Sequence, residues 1–205
     1  MEKIVKITIT FHDIVNVLMW DDEYNKDNVT SRVPCGKKIS YWLARAFTLS
    51  NIKKYADKSQ YALAMYYKDS LPNTEVTLKE LQDFYLNQIK LLKKILKNNP
   101  ISAFLDLSTF INPTNITVSV MPCPPVLMFV RINILCDEAH GELRKLYQFG
   151  NITKSEYFRQ RRELFKPINR FRSEFASSVS EAGKLARSLT EKNTGEPLVG
   201  NKKRD

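Results

Sequence analysis

The sequence predicts a mainly α-helical protein that opens on a short N-terminal β-ribbon and carries a larger helical C-terminal part. Strict two-residue alternation from Val5 to Phe11 predicts the strand, and repeated stretches of apolar residues at helical spacing predict the rest. A third observation, that no second strand follows closely, leaves the first strand looking for a partner.

In the opening segment Val5, Ile7, Ile9 and Phe11 fall on one face, and Lys6, Thr8 and Thr10 on the other. His12-Asp13 then offers a helix cap, His12 being the expected capping residue, and Ile14, Val17 and Leu18 recur at helical spacing up to the polar run that starts at Asp21. After a loop with Pro34 and Gly36, residues Ile39, Trp42, Leu43, Ala46 and Phe47 mark one face of a second helix beginning near Lys37. Trp42 reads as a core residue.

Further helix is expected through Tyr61–Tyr67 up to Pro72. Thr77 and Glu80 spell a capping box, and Leu78, Leu81, Tyr85, Ile89, Leu92 and Leu96 carry a long amphipathic helix to Pro100. Residues 101–125 read as irregular or extended, with a strand over Ile116–Val120. Two helices close the fold, about Val126–Gln148 and Lys154–Leu189, with a kink or break expected at Pro167. The division is then a unit over 1–52, a mainly helical domain over 53–189, and a disordered tail over 190–205.

The 205 residues carry a net charge of +10, which favours a polyanionic partner. The excess is local: residues 144–172 hold nine Lys and Arg against two Glu. The start has no apolar stretch of signal-peptide length, and the apolar run at Val126–Val130 is closed by Arg131, so a soluble cytoplasmic protein with no membrane contact is expected. Cys35, Cys123 and Cys136 form no Cys-x-x-Cys pair and read as reduced, packed thiols.

Enzyme chemistry finds little footing. Asp137-Glu138-Ala139-His140 has the lettering of a helicase acidic box, but none of the six glycines makes the required phosphate loop, so these four residues read as the polar face of a helix. Two scattered histidines and three scattered cysteines offer no metal set and no activated nucleophile. No catalytic residue, cofactor, metal or small-molecule ligand is expected.

The expected partner is double-stranded DNA. A lone amphipathic strand would leave backbone groups unpaired, and pairing with a second copy would satisfy them. The resulting homodimer ribbon turns Lys6, Thr8 and Thr10 outwards, where a major groove can receive them. Gly36, Lys37, Lys38 and Ser40 stand at a helix start, which suits a phosphate. Arg159, Arg161 and Arg162 supply a second cationic footprint, interleaved with Phe165 and Phe171.

On these residues the first fifty positions resemble the ribbon-helix-helix DNA-binding family of the methionine and Arc repressors. The resemblance implies a dimer in which Lys6, Thr8 and Thr10 contact bases and Gly36 to Lys38 contact phosphate. A longer likeness rests on Ile39-Ser40-Tyr41-Trp42-Leu43-Ala44-Arg45 and Lys54-Tyr55-Ala56-Asp57. These are similar to the AcaB-like regulators of conjugative plasmids and integrating conjugative elements. That likeness implies a transcription activator of transfer genes.

Two bland readings stand beside this one. The outward strand face meets only water, or the chain is a basic scaffold protein of a transfer or partition complex whose N-terminal strand adds to a partner's sheet.

Overall fold

A computed structural model describes residues 4–21, 23, 33–100 and 113–194. In chain order the elements are β1 (Val5–Phe11), α1 (Ile14–Trp20), α2 (Gly36–Ser50), α3 (Lys58–Lys97), β2 (Thr114–Val120), α4 (Pro124–Gln148) and α5 (Lys154–Thr194). Helix accounts for 76% of the described residues, which places the chain in the mainly α class.

The strand predicted at the N-terminus forms, but its partner differs from the expected one. β1 pairs antiparallel with β2 of the same chain, in a register that sets Val5 opposite Val120, Thr8 opposite Thr117 and Phe11 opposite Thr114. Sequence reasoning looks to a second copy because nothing near β1 in sequence can pair with it. The chain supplies that partner 109 residues downstream of Thr8.

Alternation does the sorting on both strands. Ile9, Phe11, Ile116, Val118 and Val120 are buried on the inner face, while Lys6, Thr8, Thr10, Asn115, Thr117 and Ser119 are exposed on the outer one.

The expected break at Pro72 is absent: α3 runs unbroken from Lys58 to Lys97 with Pro72 inside it. Its start signal is Asp57, whose carboxylate accepts from Gln60 N at 2.7 Å while Gln60 Oε1 accepts from Ala56 N at 2.6 Å. Thr77 instead donates to the Asn73 carbonyl one turn back, so it lies inside the helix and caps nothing. α5 likewise continues through Pro167, and its start is a true capping box, Thr153 and Glu156 bonding each other's backbone N–H. In both helices a continuous buried stripe outweighs the one lost hydrogen bond: Leu71 and Leu78 flank Pro72, and Leu164, Ile168 and Phe171 flank Pro167. α5 extends past Leu189 to Thr194; the rest of the expected tail, 195–205, and most of the segment expected to be irregular, 101–112, lie outside the described residues.

α3 and α5 lie antiparallel. The Tyr66 hydroxyl is 3.0 Å from Ser178 Oγ, and further along α3 the Tyr85 hydroxyl donates to the Leu164 carbonyl at 2.7 Å. α4 packs against both, and the ribbon closes over α4. One hydrophobic cluster runs from Ile9 and Phe11 through Trp20, Ile39 and Leu43 to Phe129, Phe171 and Ala182. The expected boundary at 52/53 therefore falls inside a shared core. Trp20 is at its centre, stacked on Phe129 at 6.0 Å and tilted against Phe11 at 6.3 Å. Trp42, expected in the core, is only half-buried, with the Lys38 ammonium 5.2 Å above its ring.

Candidate nucleic-acid interface

The outer face of the ribbon is a grid of three cross-strand polar pairs: Lys6 with Ser119, Thr8 with Thr117, and Thr10 with Asn115. All six side chains are exposed. Thr8 Oγ1 lies 3.4 Å from Thr117 Oγ1, and Thr10 Oγ1 donates to Asn115 Oδ1 at 2.8 Å. That bond occupies the Asn115 oxygen and leaves its amide NH2 turned to solvent as a donor. The three residues expected from the first strand are thus together on one surface. Asn115, Thr117 and Ser119 were missed, although the alternation of Thr114–Val120 around buried Ile116, Val118 and Val120 carries the same signal.

Two buried carboxylates fasten the Thr10 end of the ribbon to the helices. Asp137 of α4, 2% exposed, accepts from His12 N at 2.9 Å, His12 Nδ1 at 2.8 Å, Asp13 N at 3.0 Å and Asn16 Nδ2 at 2.7 Å. Asp13 caps α1 through Val15 N at 2.9 Å and accepts from Arg144 Nη2 at 2.8 Å and Arg161 Nη2 at 2.7 Å. So Asp13, not His12, caps the helix. The acidic-box residues are not a solvated helix face either: Asp137 and His140 are both buried, because α4 has core on several sides.

Behind Asp137, Cys136 Sγ lies 3.6 Å from His140 Nδ1. Burial pushes the Cys136 thiol up to about 12 and the His140 imidazole down to about 4. A neutral thiol beside a neutral imidazole is the reverse of an activated nucleophile. All three cysteines are buried, and none is in a disulfide.

The expected phosphate contacts divide. Gly36 is buried under Trp20, and a methyl placed there would lie 2.6 Å from Trp20 Cε3. Ser40 is 4% exposed, so its hydroxyl faces protein. Lys37 is ion-paired with Asp21 and with Glu23, the latter at 3.7 Å. Arg161 is consumed by Asp13. The glycine and the serine are buried in the packing and Arg161 is bonded to a buried carboxylate, so these three are not open surface contacts, whereas Lys37 is paired yet keeps 35% of its side chain exposed. Lys38, Arg159 and Arg162 are exposed.

With Lys166 and Arg170, the last two form an exposed stripe at helical spacing along α5, whose carboxylate neighbours are solvent-exposed i,i+3 and i,i+4 partners of little strength. Arg161, between Arg159 and Arg162 in sequence, is bonded to Asp13, two residues past the end of β1. Arg172 points the other way: it is buried, donates to the Pro34 carbonyl at 2.7 Å, and burial pulls its guanidinium down to about 10.

No protein-family model, curated protein or solved structure matches the chain. The functional reading therefore stands on the geometry. Among the described residues no group of His, Cys, Asp or Glu is arranged to hold a metal ion, and no helix is long and apolar enough to cross a membrane.

Proposed function

We propose that this chain is a sequence-specific, double-stranded-DNA-binding transcription regulator that reads the major groove with the outer face of the β1–β2 ribbon. The supporting observation is the side-by-side exposure of Lys6, Thr8, Thr10, Asn115, Thr117 and Ser119 on a rigidly anchored two-stranded ribbon. A major groove about 12 Å wide admits such a ribbon. Lys6 donates to guanine O6 or N7, the Asn115 amide donates to a base acceptor, and the threonines bond base edges or touch thymine methyls.

The grip on phosphate comes from the exposed Arg159 and Arg162 of α5, with Lys38 on the helix start. The regulator acts as a homodimer on a two-fold site, the arrangement that doubles the sequence read. Because β1 is already paired within the chain, the second copy meets a completed ribbon and does not build one. The regulated genes belong to conjugative transfer, and the regulator activates them, as the likeness to AcaB-like regulators implies.

The test is capture of genomic or plasmid fragments by the purified chain, sequenced at two salt concentrations. A common motif that persists at the higher salt is expected, since phosphate-driven binding fades steeply with ionic strength. Capture with no shared motif would leave the basic surface as a non-specific or protein-docking feature.

A further inference from the structure

β2 has a second edge. Among the described residues the sheet has two strands, so one edge of β2 faces β1 and the other has no strand beside it, while α2 packs against β2. Along that outer edge lies a cavity of about 880 Å³, lined by the consecutive residues Thr117, Val118, Ser119 and Val120 and, across from them, by Ala44 and Arg45 of α2. Consecutive strand residues line a cavity only when it opens on the strand's edge, because successive side chains point to opposite faces. The groove continues into a second cavity of about 600 Å³ that shares Thr48, Ile52 and Met121 with the first and ends at Lys53. α2 touches the residue that follows β2 where these cavities meet, at Thr48 Oγ1 and Met121 Sδ, 3.7 Å apart.

We propose that this groove takes an extended, acidic peptide segment of another protein, which adds to β2 as a third strand. An unpaired edge presents alternate N–H and C=O groups that need a partner, and strand addition supplies one. The α2 lining from Lys37 to Leu49 spans about 18 Å at 1.5 Å per residue, which matches about five to six residues of extended chain at about 3.3 Å each. That elongated shape fits a peptide better than a compact ligand.

Leu49, Ile52 and Met121 give the groove apolar lining for side chains of such a strand. Among the described residues no Asp or Glu lines either cavity; Lys37 at one end is paired with Asp21, and the exposed cations Arg45 and Lys53 are in none of the ion pairs. The segment that fits therefore alternates apolar residues with carboxylates. This inference does not rest on DNA reading, which uses the outer face and not the edge.

The test pans a random heptapeptide display library against the full-length chain and then measures the enriched peptides by fluorescence anisotropy. Enrichment of alternating apolar and Asp/Glu residues is expected. Affinity should fall at least tenfold with Arg45→Glu combined with Lys53→Glu, and also when alternate peptide amides are N-methylated. Amide exchange of the β2 segment Thr117–Val120 should slow on binding, and Thr8→Ala should leave the peptide affinity unchanged. Ala44→Trp, which fills the groove, should abolish binding while the circular dichroism spectrum stays that of the parent. No enrichment, or affinity indifferent to the charge reversals and to N-methylation, would overturn the proposal. Equal affinity for a single-stranded oligothymidine that competes with the peptide would assign the groove to nucleic acid instead.

Discussion

Arg161 places its Nη2 2.7 Å and 2.9 Å from the two carboxylate oxygens of Asp13, a residue 148 positions earlier and 3% exposed. One turn of α5 thus holds an arginine committed to the ribbon's anchor between two exposed ones, Arg159 and Arg162. Removing the inner cation leaves a buried carboxylate with only Arg144 to offset it. Arg161→Gln is expected to lower unfolding stability by about 2 kcal/mol in urea titration. Arg162→Gln should leave stability within about 0.5 kcal/mol and reduce the salt slope of DNA binding by about 1. The opposite pattern would make Arg161 the surface contact.

Asp137 gathers four donors around the junction of β1 and α1, three of them within two residues of Asp13 or on it. Asp137→Ala strands the His12 and Asp13 backbone amides and the buried Asn16 side-chain amide. A loss of about 3–5 kcal/mol is expected, read as a lower urea midpoint, together with faster exchange of the β1 amides. Unchanged exchange in β1 would mean that the ribbon is held by its apolar face alone.

Gly36 is where α2 meets Trp20, a fully buried aromatic residue. Its backbone faces Trp20 so closely that an added methyl would also stand 3.1 Å from the Trp20 Cα, which is main chain and cannot turn aside. Gly36→Ala is expected to cost about 1–3 kcal/mol and to lower the melting temperature, despite the better helix propensity of alanine. A melting temperature at or above the parent's would contradict this packing.

These residues also mark what was legible in the sequence. Alternation gave both faces of β1 correctly because period two is local information, and the same holds for the buried stripe of Leu78, Leu81, Tyr85, Ile89, Leu92 and Leu96 on α3. The partner of β1 was not legible: pairing across more than a hundred residues leaves no trace in the spacing of either strand. The prolines misled for a related reason, since the cost of Pro72 is local and the stripe of Leu71, Leu78, Leu81 and Tyr85 that overrides it belongs to tertiary packing. At the candidate interface, charge could be counted but not assigned. Nothing in the run Arg159–Arg162 distinguishes the arginine that faces Asp13 from those that face solvent, and Lys37 and Lys38 differ only in which one finds Asp21.

His140 gives a pH signature. Burial holds its imidazole at about 4 against an ordinary 6.5, so folding favours the neutral ring. The stability tied to that neutral form is fully present above about pH 6.5 and is lost progressively as the pH falls from there towards the folded value of about 4. Urea unfolding across pH 4–7 should show stability falling with acid, and His140→Phe, which keeps the stacking on Phe165, should flatten that part of the profile. An identical slope in the variant would place the acid sensitivity elsewhere.

The most direct test of the DNA reading uses the facing pair Thr8 and Thr117, one from each strand of the ribbon. Dissociation constants are measured for the duplex selected by fragment capture and for its scrambled counterpart, with the parent chain, Thr8→Ala, Thr117→Ala and Lys38→Ala. Ribbon reading predicts that either threonine variant loses about 1–3 kcal/mol of discrimination, while Lys38→Ala weakens both duplexes alike. Undiminished preference for the selected duplex in both threonine variants would contradict it.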